Sequence, residues 1–347
     1  MKHKAVVLTN GLLVSNDAKT AHGLIRGTER FEIVAIIDSP TLQGQDAGEI
    51  LDGKHRNIPI FGSLEEVLQN QLQVDYLIIG VATVGGVLPK DMIGIVENAL
   101  KSGISVVNGL HEYLTDNPVF VQLAAERNLS LIDIRKPKKR QDLHFWTGAI
   151  NEVDVPIVAV LGMDCALGKR TTARLLRQSA EAKGLKAEMI FTGQTGWLQG
   201  GKYGFVFDST LNDFVSGELE HAIVSCWKET NPDFILLEGQ SALRNPSGPC
   251  GFEFIISGNA RKVILVHAPK RLYFDNEPHW GLIPSVKSEI ELIKHLGAEV
   301  IALALNTEHC TEEEYLAFQK AYHEELQIPV ILPLEQGVET ILPLILK

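Results

Sequence analysis

The sequence predicts an α/β protein made of two parallel-sheet domains in series. Short apolar runs alternate with helix-length stretches along the chain, one basic and weakly periodic run interrupts that alternation, and 347 residues suit two cores better than one. An apolar share of 45% beside 22% charged residues is that of an ordinary soluble globular chain.

In the first domain, residues 1–140, strands are expected at Ala5–Leu8, Ile33–Asp38, Tyr76–Val81, Ile104–Val107 and Leu129–Ile132, each short and rich in Val, Ile or Leu. Helices are expected at Ser63–Gln69, where Ser63 and Glu66 have capping-box spacing, and at Lys90–Ser102. Residues 141–156 are read as the linker, within a stretch from Arg135 to Pro156 that opens with the basic cluster Arg135–Arg140. Alternation resumes in the second domain, 157–347, with strands at Ile157–Leu161, Ala187–Phe191, Phe234–Leu237, Val263–Val266, Val300–Leu305 and Pro329–Leu332. Its helices are expected at Lys169–Lys183, Asn212–Lys228, Ser285–His295, Thr311–Glu325 and Val338–Leu346.

A net charge of −11 disfavours nucleic acid and anionic membranes as partners, because such a surface repels phosphate polymers. No apolar run approaches the roughly 20 residues of a membrane helix, and no signal-peptide pattern opens the chain, so a cytoplasmic protein with a small-molecule substrate is expected. Cys165, Cys226, Cys250 and Cys310 contain no C-x-x-C pair and read as free thiols.

The most specific motif is "GMDCALGKRTT", Gly162–Thr172, between an apolar strand and a helix. Unpaired N–H groups at a helix N-terminus bind phosphate, and glycines let the backbone approach it. Gly162 and Gly168 supply the turns, Lys169 a point charge, and Arg170, Thr171 and Thr172 follow on the helix. Five residues separate Gly162 from Gly168-Lys169, where the commonest form has four. This spacing resembles the loop of dethiobiotin synthetase and its P-loop relatives, which read Gly-Thr-Asp, three residues, then Gly-Lys-Thr. Asp164 matches the aspartate, but Arg170 stands where those enzymes place the threonine that holds Mg²⁺. Thr171 is turned by about 100° from that position and cannot replace it. The loop is therefore expected to bind a phosphorylated cofactor, with no metal assigned.

Further candidates sit at predicted sheet edges. Glu238 ends a strand before Gly239, and Asp213 opens a helix within "FDSTLNDFVSGELEH"; both are candidate catalytic carboxylates. Phe191–Gly204 holds five glycines and is read as a loop over a pocket, with Thr192, Gln194 and Thr195 as ligand-facing polar groups and Gln194 and Thr195 taken to meet substrate. Asp38 ends the second strand, where a dinucleotide fold places its ribose acid, but the first turn lacks G-x-G-x-x-G. Lys19, His22 and Arg26 share one helical face, and Lys19, Arg26 and Arg244 are the cations proposed to meet a substrate carboxylate. His111 in "NGLHEYL" is a third candidate catalytic group.

Together "AKTAHGLIR", "VVNGLHEYL", "GMDCALGKRTT", "TGQTGW" and "DFVSGELEH" resemble the D-glutamate N-acetyltransferase-like family, along nearly the whole chain. The resemblance implies a Rossmann-like N-terminal domain, a P-loop NTPase-like C-terminal domain and acetyl transfer from acetyl-CoA to the amine of an acidic amino acid, D-glutamate foremost. One run departs from the family: Ser241 and Ala242 stand for Gly-Ser, and Asn245 precedes Pro246 where a histidine is usual. The alternatives are an ATP- and Mg²⁺-dependent ligase or kinase and a non-catalytic nucleotide- or CoA-binding protein. A homo-oligomer is the expected assembly.

Overall fold

A computed structural model describes residues 2–347. The chain forms two compact units, one reaching to Pro137 and including Gln194–Gly200, the other comprising Lys138–Gly193 and Gly201–Lys347.

The first unit runs β1 His3–Leu8, α1 Lys19–Arg26, β2 Phe31–Ile37, α2 Ala47–Asp52, β3 Ile60–Phe61, α3 Leu64–Gln69, β4 Tyr76–Ile79, α4 Lys90–Lys101, β5 Ser105–Asn108, α5 Pro118–Glu126 and β6 Leu131–Asp133. Its strands pair in parallel in the order β3-β2-β1-β4-β5-β6, the doubly wound arrangement of a Rossmann-like sheet. Both faces are covered, which is why the strands read as continuous apolar runs. Val6 and Leu8 of β1 pack in one layer with Val67 and Met92, whereas Ala5 and Val7 pack in the other with Ala21 and Leu24 of α1.

Local chemistry departs from the sequence reading at two points. Ser63 caps α3 by accepting from Glu66 N, but the Glu66 carboxylate accepts from Gly62 N at 3.0 Å and from Gln43 Nε2 at 2.9 Å, so the reciprocal half of the expected box is not made. Asp38 is buried and closes the turn after β1, its Oδ2 accepting from Thr9 Oγ1 at 2.6 Å, Gly11 N at 2.9 Å and Leu13 N at 3.1 Å. Those bonds commit the carboxylate to the backbone, where a dinucleotide fold would aim it at a ribose.

The second unit runs β7 Ile157–Gly162, α6 Lys169–Ala182 and β8 Ala187–Ile190. The chain then forms α7, Gln194–Leu198, which belongs to the first unit, and returns as α8 Asn212–Thr230, β9 Phe234–Glu238, α9 Phe252–Ile256 and β10 Lys262–His267. It closes with α10 Val286–His295, β11 Glu299–Leu305, α11 Glu312–Leu326, β12 Val330–Ile331 and α12 Leu342–Leu346. A full capping box starts α11, with Thr311 and Glu314 each bonding the other's backbone N–H. The sheet is parallel, in the order β12-β11-β10-β7-β9-β8. From β7 the chain winds one way to β8 and β9, then crosses to β10, which makes the C-terminal end of β7 the topological switch point where such sheets bind ligands.

The stretch read as a solvated linker folds onto α8. Glu218 is buried and accepts from His144 N at 2.8 Å and Lys138 Nζ at 2.6 Å. Glu220, also buried, accepts from Thr147 N at 2.6 Å, Thr147 Oγ1 at 2.8 Å, Gly148 N at 2.8 Å and Ile150 N at 3.2 Å. A Cβ at Gly217 would lie 2.1 Å from His144 O, so only glycine lets this strap lie against the helix. The segment has little periodicity because carboxylates, rather than an apolar face, hold it.

Two outcomes follow for the strap. Replacing Gly217 by Ala is expected to lower the unfolding midpoint by about 1–3 kcal/mol of stability and to open residues 138–154 to limited proteolysis. Burial pushes the Glu220 carboxyl up, but the bonds from Thr147, Ile150 and Gly148 outweigh it and hold it below its ordinary value, as Lys138 and His144 do for Glu218. The stability they contribute is complete above the ordinary carboxylate range and is lost as pH falls through their lowered folded values. Acid titration followed by amide exchange should release the strap only below the ordinary glutamate pKa of about 4.3.

Candidate phosphate-binding site

The Gly162–Thr172 motif forms the expected strand–loop–helix at the end of β7. Gly168 at φ 92° and Ala166 at φ 51° turn the loop, placing a left-handed residue immediately before α6. Among the described residues, no protein acceptor is recorded for the N–H groups of Ala166, Gly168, Arg170 and Thr171. These donors lie at the positive end of the helix dipole, an arrangement suited to phosphate.

The Lys169 side chain folds back over Gly162, where an added Cβ would meet its Cδ at 2.9 Å. Its Nζ donates to Asp164 O at 2.6 Å and Ser241 O at 2.8 Å. Thr171 is half-buried and Thr172 is buried against the core.

Asp164, expected to face the cofactor, is instead wholly buried in the framework. Its Oδ1 accepts from Asn245 Nδ2 at 2.9 Å, and its Oδ2 accepts from Arg271 Nη1 at 3.0 Å and Asp275 N at 2.8 Å. Arg271 also binds Glu308 and donates to Cys165 O at 2.7 Å. Asp164, Cys165 and Asp275 place ligand atoms within 4.8 Å of one another, yet both Asp164 oxygens are engaged and the adjoining guanidinium repels a cation.

Glu238 ends β9 beside β7, in register with Val160, and is 2% exposed. Its Oε1 accepts from Arg170 Nη1 at 3.3 Å and its Oε2 from Thr192 N at 3.1 Å; the Thr192 hydroxyl donates to Glu238 O at 2.6 Å. Burial pushes the carboxyl up, and Arg170 opposes that rise. The Cys165 thiol is likewise raised by burial and lies 3.5 Å from Ser241 Oγ. Ser241 has φ 38°, a conformation that favours glycine.

The sequence candidates thus divide between the units. Gly162, Asp164, Gly168, Lys169, Arg170, Thr171, Thr172 and Glu238 come together in the second. Arg244, also there, is tied to the buried Glu289 at 2.5 Å and to Ser288 Oγ at 2.8 Å. Asp213 is exposed in the first turn of α8, which suits the helix dipole. In the first unit, Lys19 is exposed, Arg26 lies 3.5 Å from Asp52, and His111 is exposed after β5 with its N–H bonded to Gly86 O. The run read as a loop over a pocket instead contains α7, where buried Gln194 and Thr195 both contact Thr20 Oγ1 at 3.3 Å. Sequence reasoning missed Arg271 and Asp275, whose roles depend on distant partners, and read Thr192 as ligand-facing, whereas it is buried with its N–H and hydroxyl both bonded to Glu238. Only Asn245, in the turn-forming "RNPSG", carried a local signal.

Asp164→Ala is expected to cost about 3 kcal/mol or more in denaturant unfolding, since it strips a buried guanidinium of one partner and leaves Asn245 and Asp275 N unsatisfied. Ser241→Gly should raise the unfolding midpoint slightly, by about 1 kcal/mol of relieved backbone strain.

Residues 144–342 match the family described as "Domain of unknown function (DUF1611_C) P-loop domain", and residues 40–137 match "Domain of unknown function (DUF1611_N) Rossmann-like domain". A protein of Pseudoalteromonas sp. named D-glutamate N-acetyltransferase is 28% identical over 271 residues, 76% of this chain and 79% of the relative. Another of the same name, from Tritonibacter scottomollicae, is 27% identical over 268 residues, 75% and 78% of the two chains. The crystal structure of a DUF1611 family protein from Anabaena variabilis superposes with a TM-score of 0.90 at 28% identity, covering 99% of each chain. No helix among the described residues is long and apolar enough to cross a membrane.

Proposed function

Because the chain belongs to the DUF1611 family, with its Rossmann-like and P-loop domains both present, we propose that it is an acyltransferase carrying acetyl from acetyl-CoA to the amine of an acidic amino acid, D-glutamate foremost. The observation that carries this reading is the alignment of two proteins named D-glutamate N-acetyltransferase along three quarters of the chain.

The loop supports it chemically. Coenzyme A presents a pyrophosphate and a 3′-phosphate, which N–H groups before α6 can hold together with Lys169 and Arg170. No phosphorus–oxygen bond breaks in acetyl transfer, so the loop has only to bind. The substrate ammonium loses a proton, its nitrogen attacks the thioester carbonyl, and the carbon–sulfur bond breaks to release the thiol.

The base needs an accessible proton acceptor. Glu238 is engaged by Arg170 and Thr192 and is assigned here to holding Arg170. Asp213 and His111, both exposed, stay the candidate bases. Arg244 is tied to Glu289 and Arg26 lies 3.5 Å from Asp52, so the exposed Lys19 is the cation we favour for an acceptor carboxylate.

Given acetyl-CoA and a panel of D- and L-amino acids, the purified protein is expected to release free thiol fastest with an acidic one, with a steep fall for its amide analogue. No release with any acceptor would overturn the reading. Lys169→Ala should weaken acetyl-CoA binding by about tenfold in calorimetry, through loss of a charge-assisted contact.

A further inference from the structure

Two groups ordinarily hold the magnesium ion of a P-loop enzyme: the hydroxyl that follows the loop lysine and an acid at the end of a neighbouring strand. Both positions are identifiable in this chain. The first is Arg170, directly after Lys169; the second is Glu238, at the end of β9 and in register with Val160 of the loop strand. They are bonded to each other, Arg170 Nη1 to Glu238 Oε1 at 3.3 Å.

The geometry points to a built-in cation: the Arg170 guanidinium, held by Glu238, takes the place of the divalent ion, so the loop binds a metal-free diphosphate and excludes its magnesium complex. The inference takes from the proposed function only that the loop holds a phosphate ligand, and acetyl transfer is not needed for it.

The carboxylate is fixed on both sides. Thr192 N donates to its second oxygen at 3.1 Å, and the Thr192 hydroxyl, which accepts from Gln240 Nε2 at 3.0 Å, donates to the Glu238 carbonyl at 2.6 Å. A metal ion at Glu238 would have to displace the guanidinium and remain beside it, two cations in a site 2% exposed. Neither of the two hydroxyls that follow takes the place of Arg170, since Thr171 projects about 100° further round the helix and Thr172 is buried. Arg170 keeps part of its side chain, 22%, open to solvent, so it can serve Glu238 and an incoming phosphate together. Glu238 is therefore a positioning residue.

The test is calorimetric titration of the full chain with coenzyme A and, separately, ADP, each in EDTA and in excess Mg²⁺. For the unaltered chain, affinity for coenzyme A should agree within about twofold between the two conditions, and Mg²⁺ should weaken ADP binding by complexing it. Arg170→Thr restores the hydroxyl and leaves Glu238 Oε1 without its guanidinium. Its affinity in EDTA should fall at least about tenfold and be regained with Mg²⁺. Arg170→Thr combined with Glu238→Gln should show the loss without the recovery, and it removes the unpaired buried charge if the single variant folds poorly.

If EDTA abolishes binding to the unaltered chain, or if Arg170→Thr binds as tightly as that chain in EDTA, the inference is wrong. If neither probe binds under either condition, it falls together with the phosphate loop. Metal-independent binding without thiol release counts against the proposed acetyl transfer and leaves this inference standing.

Discussion

Asp164 has no exposed surface, and its two oxygens collect donors from the turn after β9, through Asn245, and from the segment after β10, through Arg271 and Asp275. Those strands flank β7 on either side. The phosphate loop is thus tied at its second residue to both neighbours of its own strand. Arg271 reaches one residue further to Cys165 O, and Asn306 Nδ2 donates to Leu167 O at 3.1 Å. A buried carboxylate facing a guanidinium tolerates little displacement, because separation leaves a charge without water or partner. The positions of Lys169, at the carbonyls of Asp164 and Ser241, and of Arg170, at Glu238, follow from that constraint.

The same device recurs away from the loop. Asp38 gathers two N–H groups and a hydroxyl to close the turn after β1, and Glu220 gathers three N–H groups and a hydroxyl to hold the strap on α8. In each case the backbone leaves regular structure without losing its hydrogen bonds, because one carboxylate supplies several acceptor positions. The acids that a motif reading singles out in these segments are therefore mostly framework, whereas Asp213 is exposed at the start of α8.

Much of the architecture was legible in the chain. The apolar runs located the longer strands, although β3, two residues long, and α7, five residues long, escaped, because neither is long enough to repeat its period twice. The phosphate loop and the arginine within it were readable because the whole motif is local: strand end, glycines, lysine and helix start are contiguous. The departure at Ser241 was visible too, and its left-handed backbone explains why glycine is the residue expected there.

What the sequence by itself determined is the pair of parallel α/β units, the place of the loop and the absence of a metal-binding hydroxyl after Lys169; each depends on neighbours within a few residues. Tertiary structure alone decided that Asp164 turns inward, that Gln194 and Thr195 are buried in the first unit, that Glu218 and Glu220 secure the strap, and that Glu238 holds Arg170. The physical reason is separation along the chain. Arg271 lies 107 residues from Asp164, Thr20 lies 174 from Gln194, and Glu238 lies 68 from Arg170, so no local period or spacing records which polar group each will meet when the strands assemble.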